Sequence, residues 1–218
     1  MKTGNRFFAG VLRLLSLFIL LASLLVLPKV QAAVGDTFTD DNFKYFVQTE
    51  EGTAGTVSVS KQSYTVPSGA VTIPASVTRG SVTYSVTSIG DNAFYYIRDL
   101  ESITIPDTVT LIGKTAFGLC LNLKNVVIGK GVTSIDADAF SGCRSLTSIT
   151  IPRNVNSIGL RAFAGCSSLV LVVFEGDAPN AESGVFSCST VLSSIYYMDG
   201  TSGWTAPPWV SLPTVCLK

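Results

Sequence analysis

Four segments of this chain superimpose at a period of 23 residues without a gap: Val86–Thr108, Val109–Gly131, Val132–Asn154 and Val155–Asp177. A fixed period of this length is the signature of stacked repeats. One such coil cannot bury its own apolar residues, so its neighbours must do so. The columns show which side faces inward. They hold Val86/Val109/Val132/Val155, then Ile89/Ile112/Ile135/Ile158, then the pairs Ala93-Phe94, Ala116-Phe117, Ala139-Phe140 and Ala162-Phe163. Leu100, Leu123, Leu146 and Leu169 follow, each with apolar residues three and five positions later. These last columns read L-x-x-I-x-I, the alternation of a short strand. Pro106 and Pro152 close two of those strands, since proline cannot donate to a ladder. The stretch around Ala-Phe begins with the cap-forming Asp91 and Asn92 and contains no proline, so it reads as a short helical turn. Gly118, Gly142 and Gly165 lie where that turn ends.

The period extends past Asp177. Phe186, Leu192, Ile195 and Tyr197 fall on the columns of Phe163, Leu169, Val172 and Phe174, which makes residues 178–200 a fifth, degenerate coil. Upstream, Val71–Pro74 imitates the strand ends, as a partial first coil followed by a longer connection. Terminal repeats are expected to be atypical because one face must meet water. Before them, residues 33–70 read as a cap. Phe43, Tyr45 and Val47 alternate on one face, a turn follows, and Thr56–Ser60 alternates again, giving a β-hairpin. Residues 201–218 form the closing cap. There Trp204 and Trp209 either plug the open end or stack on sugars.

The half-repeats TSIGDNAF, SIDADAFSGCRSLTSITIP and NSIGLRAFAGCSSL resemble the BspA-like leucine-rich repeats, over Val71 to about Gly200. Two positions depart: Asp136 stands where the other copies have Gly, and Ile97 where they have Cys. The resulting fold is an α/β repeat. It is a leucine-rich-repeat solenoid with one parallel sheet on one face, short helices or turns on the other, and a β-hairpin at its N-terminal end. The resemblance implies an exported, non-catalytic protein that binds protein or glycan at the cell surface or outside the cell. A purely structural envelope scaffold is the alternative, and a hydrolase using carboxylates a third reading.

Composition narrows the chemistry. The chain has no histidine, which removes the usual general base and the commonest zinc ligand. It has no phosphate-binding glycine loop and no G-x-S-x-G. Asp136 and Asp138 have the spacing of a calcium loop, but AFSGC after them supplies no further oxygen ligands. No cofactor or metal is expected. The 15 cations and 15 anions cancel, but Lys2, Arg6, Arg13 and Lys29 precede residue 33, so the remainder carries four more anions than cations, without a basic cluster. Nucleic acid is therefore a poor partner, and the expected state is a monomer. Cys120, Cys143 and Cys166 share one column as stacked buried thiols, with Cys188 one residue out of phase and Cys216 in the tail.

Within each L-x-x-I-x-I strand the third and fifth residues face away from the core. They begin as Ser102/Thr104, Asn125/Val127 and Ser148/Thr150, and become Leu171/Val173 and Ser194/Tyr196. Val127, Thr150, Leu171, Val173 and Tyr196 are the candidate ligand-binding residues, unless the tail folds over them.

The first 32 residues read as a leader. They hold a cationic start, the 14-residue apolar run Leu14–Leu27, and small residues at Val30-Gln31-Ala32. The run is shorter than the roughly 20 residues that span a bilayer, which weighs against an uncleaved anchor and membrane insertion. Protein recovered from its host is expected to begin at Ala33, with the signal removed and the product secreted or held at the surface. Mass spectrometry finding an intact N-terminus in a membrane fraction would support the anchor.

Overall fold

The computed structural model describes residues 32–61, 68–204 and 212–218. Residues 1–31, all of the expected leader but Ala32, and Trp209 lie outside the described residues. Two rows of strands run along the solenoid. The front row carries the L-x-x-I-x-I strands: β4 (Gly69–Thr72), β7 (Leu100–Thr104) and β9 (Asn125–Val127) form one sheet. β11 (Ser148–Ile151), β13 (Leu171–Phe174), β15 (Ile195–Met198) and β16 (Thr214–Leu217) form the next, also parallel. The back row starts with β1 (Thr37–Thr39), β2 (Phe43–Glu51) and β3 (Ala54–Lys61). It continues through β6 (Val82–Ile89), β8 (Leu111–Ile112), β10 (Ser134–Ile135), β12 (Ser157–Ile158) and β14 (Asn180–Ala181). β2 and β3 are the expected antiparallel hairpin. The stretch expected as a plain connection is a second hairpin, β5 (Ser76–Arg79) against β6. Val71 pairs with Ile103, which sets β4 in register beside the front strand of the first full coil.

The expectation of one parallel sheet is corrected: each full coil contributes a strand to the front and another to the back, the back strand being two residues long in every coil after the first, where it is part of β6. The back strands are the Ser-Ile pairs and their equivalents, paired at offsets of 23 (Ser134 with Ser157, Ile135 with Ile158). Two residues are too few for alternation to show.

The short helices are corrected as well, because no helix occurs among the described residues. The hydrogen bonds give the reason. In the Asp91–Ile97 turn, Ala93, Tyr95 and Ile97 donate locally, to Gly90, Asn92 and Phe94, at 3.1–3.3 Å. Asn92, Phe94 and Tyr96 instead donate to Lys114, Ala116 and Gly118 of the next coil, at 2.7–2.9 Å. A helix would use all of these groups within one segment. Here every second N–H is committed to the neighbour. The backbone turns left-handed at two places per coil to allow it: Asn92, Thr115, Asp138, Arg161 and Gly184 form one column, and Tyr96, Leu119, Gly142, Gly165 and Cys188 the other. Gly118 therefore does not end its turn; Leu119 does, with φ 57°. Gly118 is small for another reason, since a Cβ there would meet Thr115 Cγ2 at 2.6 Å.

The inward columns are dry. Leu100, Leu123, Leu146 and Leu169, with Phe94, Phe117, Phe140 and Phe163, are all fully buried. The Phe rings stack with centroids 5.1–5.3 Å apart and interplanar angles of 2–9°. Phe186 continues the stack at 5.7 Å, as the degenerate coil requires. Phe43 of the hairpin closes the other end, edge-on to Phe94 at 6.1 Å.

The thiol column has a polar task that spacing did not reveal. The Sγ–H of Cys120, Cys143 and Cys166 donates to the carbonyl of Phe94, Phe117 and Phe140 in the preceding coil, at 3.1–3.3 Å. In the fifth coil the same bond is made by Ser189 Oγ–H to Phe163, at 3.0 Å. Ser189 thus holds the column's position, while Cys188 occupies the left-handed site beside it. Ile97 is the first member of the column and has no preceding Ala-Phe turn to bond. Asp136 is explained similarly. Lys114 N–H is accepted by Asp91 of the coil before, but Lys114 offers no acceptor to Ala137, whose N–H is taken by Asp136 at 2.6 Å.

Truncating the central ring, Phe140→Ala, is expected to cost about 3–5 kcal/mol, and Phe186→Ala less, because Phe186 has a stacked ring on one side. Equal losses in denaturant titrations of the two variants would refute that ordering. Burial pushes the Cys120 thiol up to about 11 and Cys166 up to about 12, with Cys143 raised well above its ordinary 9. These thiols hold their protons in the folded state after the unfolded chain would release them. Stability is therefore expected to be intact below pH 9 and to fall as pH rises toward 11–12. Native protein should react with a thiol reagent at Cys188 and Cys216, which are exposed, and at the other three only on unfolding. Modification of Cys143 in the folded state would contradict this.

Candidate functional site

The outward positions of the front strands form a row on each of the two front sheets. Pairing sets Thr104 beside Val127, and, on the next sheet, Thr150 beside Val173, Val173 beside Tyr196, and Tyr196 beside Val215. Register, not side-chain attraction, creates this row: strands offset by one period put equivalent positions side by side. Leu171 lies in the adjoining row, opposite Ser148. Val127 is 58% exposed and Leu171 39%; Thr150 is exposed, and Val173 and Tyr196 are half-buried. All five candidate residues therefore lie on one face. Val127 sits on β9, across the break between the two front sheets.

Among the described residues, the tail does not fold over this face. β16 adds to the edge of β15 and lengthens the row with Val215, itself 39% exposed. Nothing in the letters announces this strand, since four residues in a Pro-rich tail carry no period. Trp204 goes to the other side of the sheet. It is buried, 5.2 Å from Tyr197 and nearly parallel to it, and 4.9 Å from Phe174, both of which face inward. Trp204 is thus the expected plug rather than a sugar platform. Phe43, Tyr45 and Val47 are likewise core, and Tyr45 donates its hydroxyl to Asp40 at 2.6 Å. Burial and that contact hold the phenol far above its usual range.

A groove of about 650 Å³ borders the row where the front strands end. Lys130, Arg153, Asn154, Glu175, Met198, Asp199, Gly200 and Thr201 line it. Both signs of charge are present, from residues just beyond β9, β11, β13 and β15. The Asp136 and Asp138 carboxylates are engaged within the repeat: Asp136 accepts from Ala137 and Asp138 pairs with Arg161 at 3.3 Å. No group of three or more potential metal ligands occurs among the described residues. The surface on offer is a ladder of hydroxyl and apolar side chains, suited to contact rather than to a covalent step.

Comparison with known proteins gives the same reading of the fold. A leucine-rich repeat protein of Bacteroides capillosus is 28% identical, with a TM-score of 0.54, over 64% of this chain and 99% of its own. The T. pallidum leucine-rich repeat protein is 26% identical (TM-score 0.61), over 74% of this chain and 71% of its own. The pneumococcal vaccine antigen PcpA is 26% identical (TM-score 0.60), over 78% of this chain and 51% of its own, so the chain spans about half of that antigen. No curated protein matches. Residues 87–204 match the BspA type leucine rich repeat region in six copies. With the period, the stacked columns and these likenesses in agreement, the chain belongs to the BspA-type leucine-rich repeat family.

Proposed function

We propose that this chain is an exported, non-catalytic repeat protein that binds an extracellular protein partner through its front face. The observation that carries this reading is the row Val127, Thr150, Val173, Tyr196 and Val215, with Leu171 beside it: apolar side chains grouped on an open face. Solvated faces of soluble proteins rarely group apolar residues this way without a partner. Tyrosine suits such a place because its ring is apolar and its tip polar. The extended form of the row favours a protein surface over a small molecule, which would need an enclosing pocket. The leader and the antigen among the similar proteins support export and surface display. The neighbouring groove, with Lys130 and Arg153 against Glu175 and Asp199, supplies the polar rim such an interface needs.

Replacing Leu171 and Val173 together with lysine places two charges in the centre of the row without touching the buried columns. Binding to a panel of extracellular matrix and cell-surface proteins, measured by surface plasmon resonance, is expected to fall at least a hundredfold, with an unchanged circular dichroism spectrum. Undiminished binding in this double variant would move the site off the front face.

A further inference from the structure

Tyr95 and Tyr96 depart from every later coil. Their counterparts are Gly118-Leu119, Ser141-Gly142, Ala164-Gly165 and Ser187-Cys188. The second position of each pair is left-handed, and Tyr96 adopts it with φ 59°. A bulky ring on such a backbone opposes folding, and two coils avoid the problem with glycine. Leu119 offsets the strain by packing: it is half-buried, and a Cβ on Gly142 would meet its Cδ2 at 2.6 Å. Tyr96 is 46% exposed and Tyr95 39%, so little packing is gained in return. The two rings lie 6.1 Å apart, tilted 35°. The Arg98 guanidinium sits 4.5 Å from the Tyr96 ring centre and donates to its hydroxyl. Lys61 Nζ donates to the Tyr95 carbonyl at 3.1 Å. Arg98 therefore lies over one face of Tyr96 and Lys61 beside Tyr95, and the exposed ring surface left to the pair is flanked by two cations.

We propose that Tyr95 and Tyr96 form a saccharide-binding platform, with Arg98 and Lys61 favouring a sugar that bears a carboxylate. The C–H face of a sugar ring is apolar and weakly positive, which matches the negative face of an aromatic ring. Arg98 keeps donors beyond the one given to Tyr96, and guanidinium suits a carboxylate. The size of the patch suits a saccharide better than a protein partner. Two rings less than half exposed offer about 200 Å², against the roughly 800 Å² that each side of a stable protein interface contributes. One or two sugar units fit that area. The platform is on the turn side of the first full coil and shares no residue with the front-face row, so each can be tested without the other.

The double variant Tyr95→Ser with Tyr96→Gly writes the Ser141-Gly142 pair of the third coil into the first, and is expected to fold at least as well as the parent. Full-chain protein, titrated calorimetrically with uronic-acid oligosaccharides and with neutral ones of equal length, should bind the acidic chains at least tenfold more tightly. The double variant should lose at least tenfold in that affinity with no fall in its unfolding midpoint, while Leu171→Lys with Val173→Lys keeps it. Absence of saccharide binding at millimolar concentration, equal binding of neutral and acidic chains, or undiminished binding by the tyrosine variant would each overturn the proposal. A lowered midpoint in that variant would assign the tyrosines to the fold and overturn it too.

Discussion

Half of the turn N–H groups in a coil have their acceptor in the next coil. Asn92, Phe94 and Tyr96 reach Lys114, Ala116 and Gly118, and Thr115, Phe117 and Leu119 reach Ala137, Ala139 and Ser141 in the same way. Buried backbone groups without partners are costly, so a single coil is not a stable object. The stacked phenylalanines, the aligned leucines and the two rows of strands all require this coil-to-coil pairing to hold them one strand spacing apart. The left-handed residues are what it demands in return. They interrupt the local winding twice per coil, and the turn cannot become a helix.

The same constraint explains what could be read from the letters. Burial leaves a strong trace, because only apolar residues survive in a dry column; hence the Phe, Leu and Ile positions were legible to the residue, as was the fifth coil through Phe186 and Leu192. Backbone hand leaves a weak one. Of the ten left-handed positions, only Gly142, Gly165 and Gly184 carry the residue that marks them, while Thr115, Arg161 and Leu119 do not. A proline-free stretch opened by Asp and Asn therefore looks helical on paper. Interchangeable donors are hidden in a similar way. Ser189 and Cys166 make the same bond to a Phe carbonyl, but cysteine spacing alone leads to Cys188 instead.

The candidate front face was legible for a simpler reason. Alternation fixes which residues of a strand point outward, and the period aligns them, so the row from Val127 to Tyr196 follows from counting. Its extension by Val215 was not, because β16 pairs with β15 at an offset of 19 residues, outside the period. The platform at Tyr95 and Tyr96 becomes visible only when backbone conformation and exposure are compared between coils. The repeat then acts as its own control: five copies of one local structure show what each position needs, and the copy that disregards the need stands out.

The direction of the coil-to-coil bonds has a mechanical consequence. They run along the stacking axis, so a pull on the two ends of the solenoid would load them end-on at each junction and not in shear across a whole sheet. Junctions of this kind open in succession, not all together. Each opened coil would release 23 residues of slack, roughly 75 Å of extended chain at ~3.3–3.6 Å per residue. Under tension, such a stack would behave as a series of weak links that lengthen stepwise and close again when the tension drops.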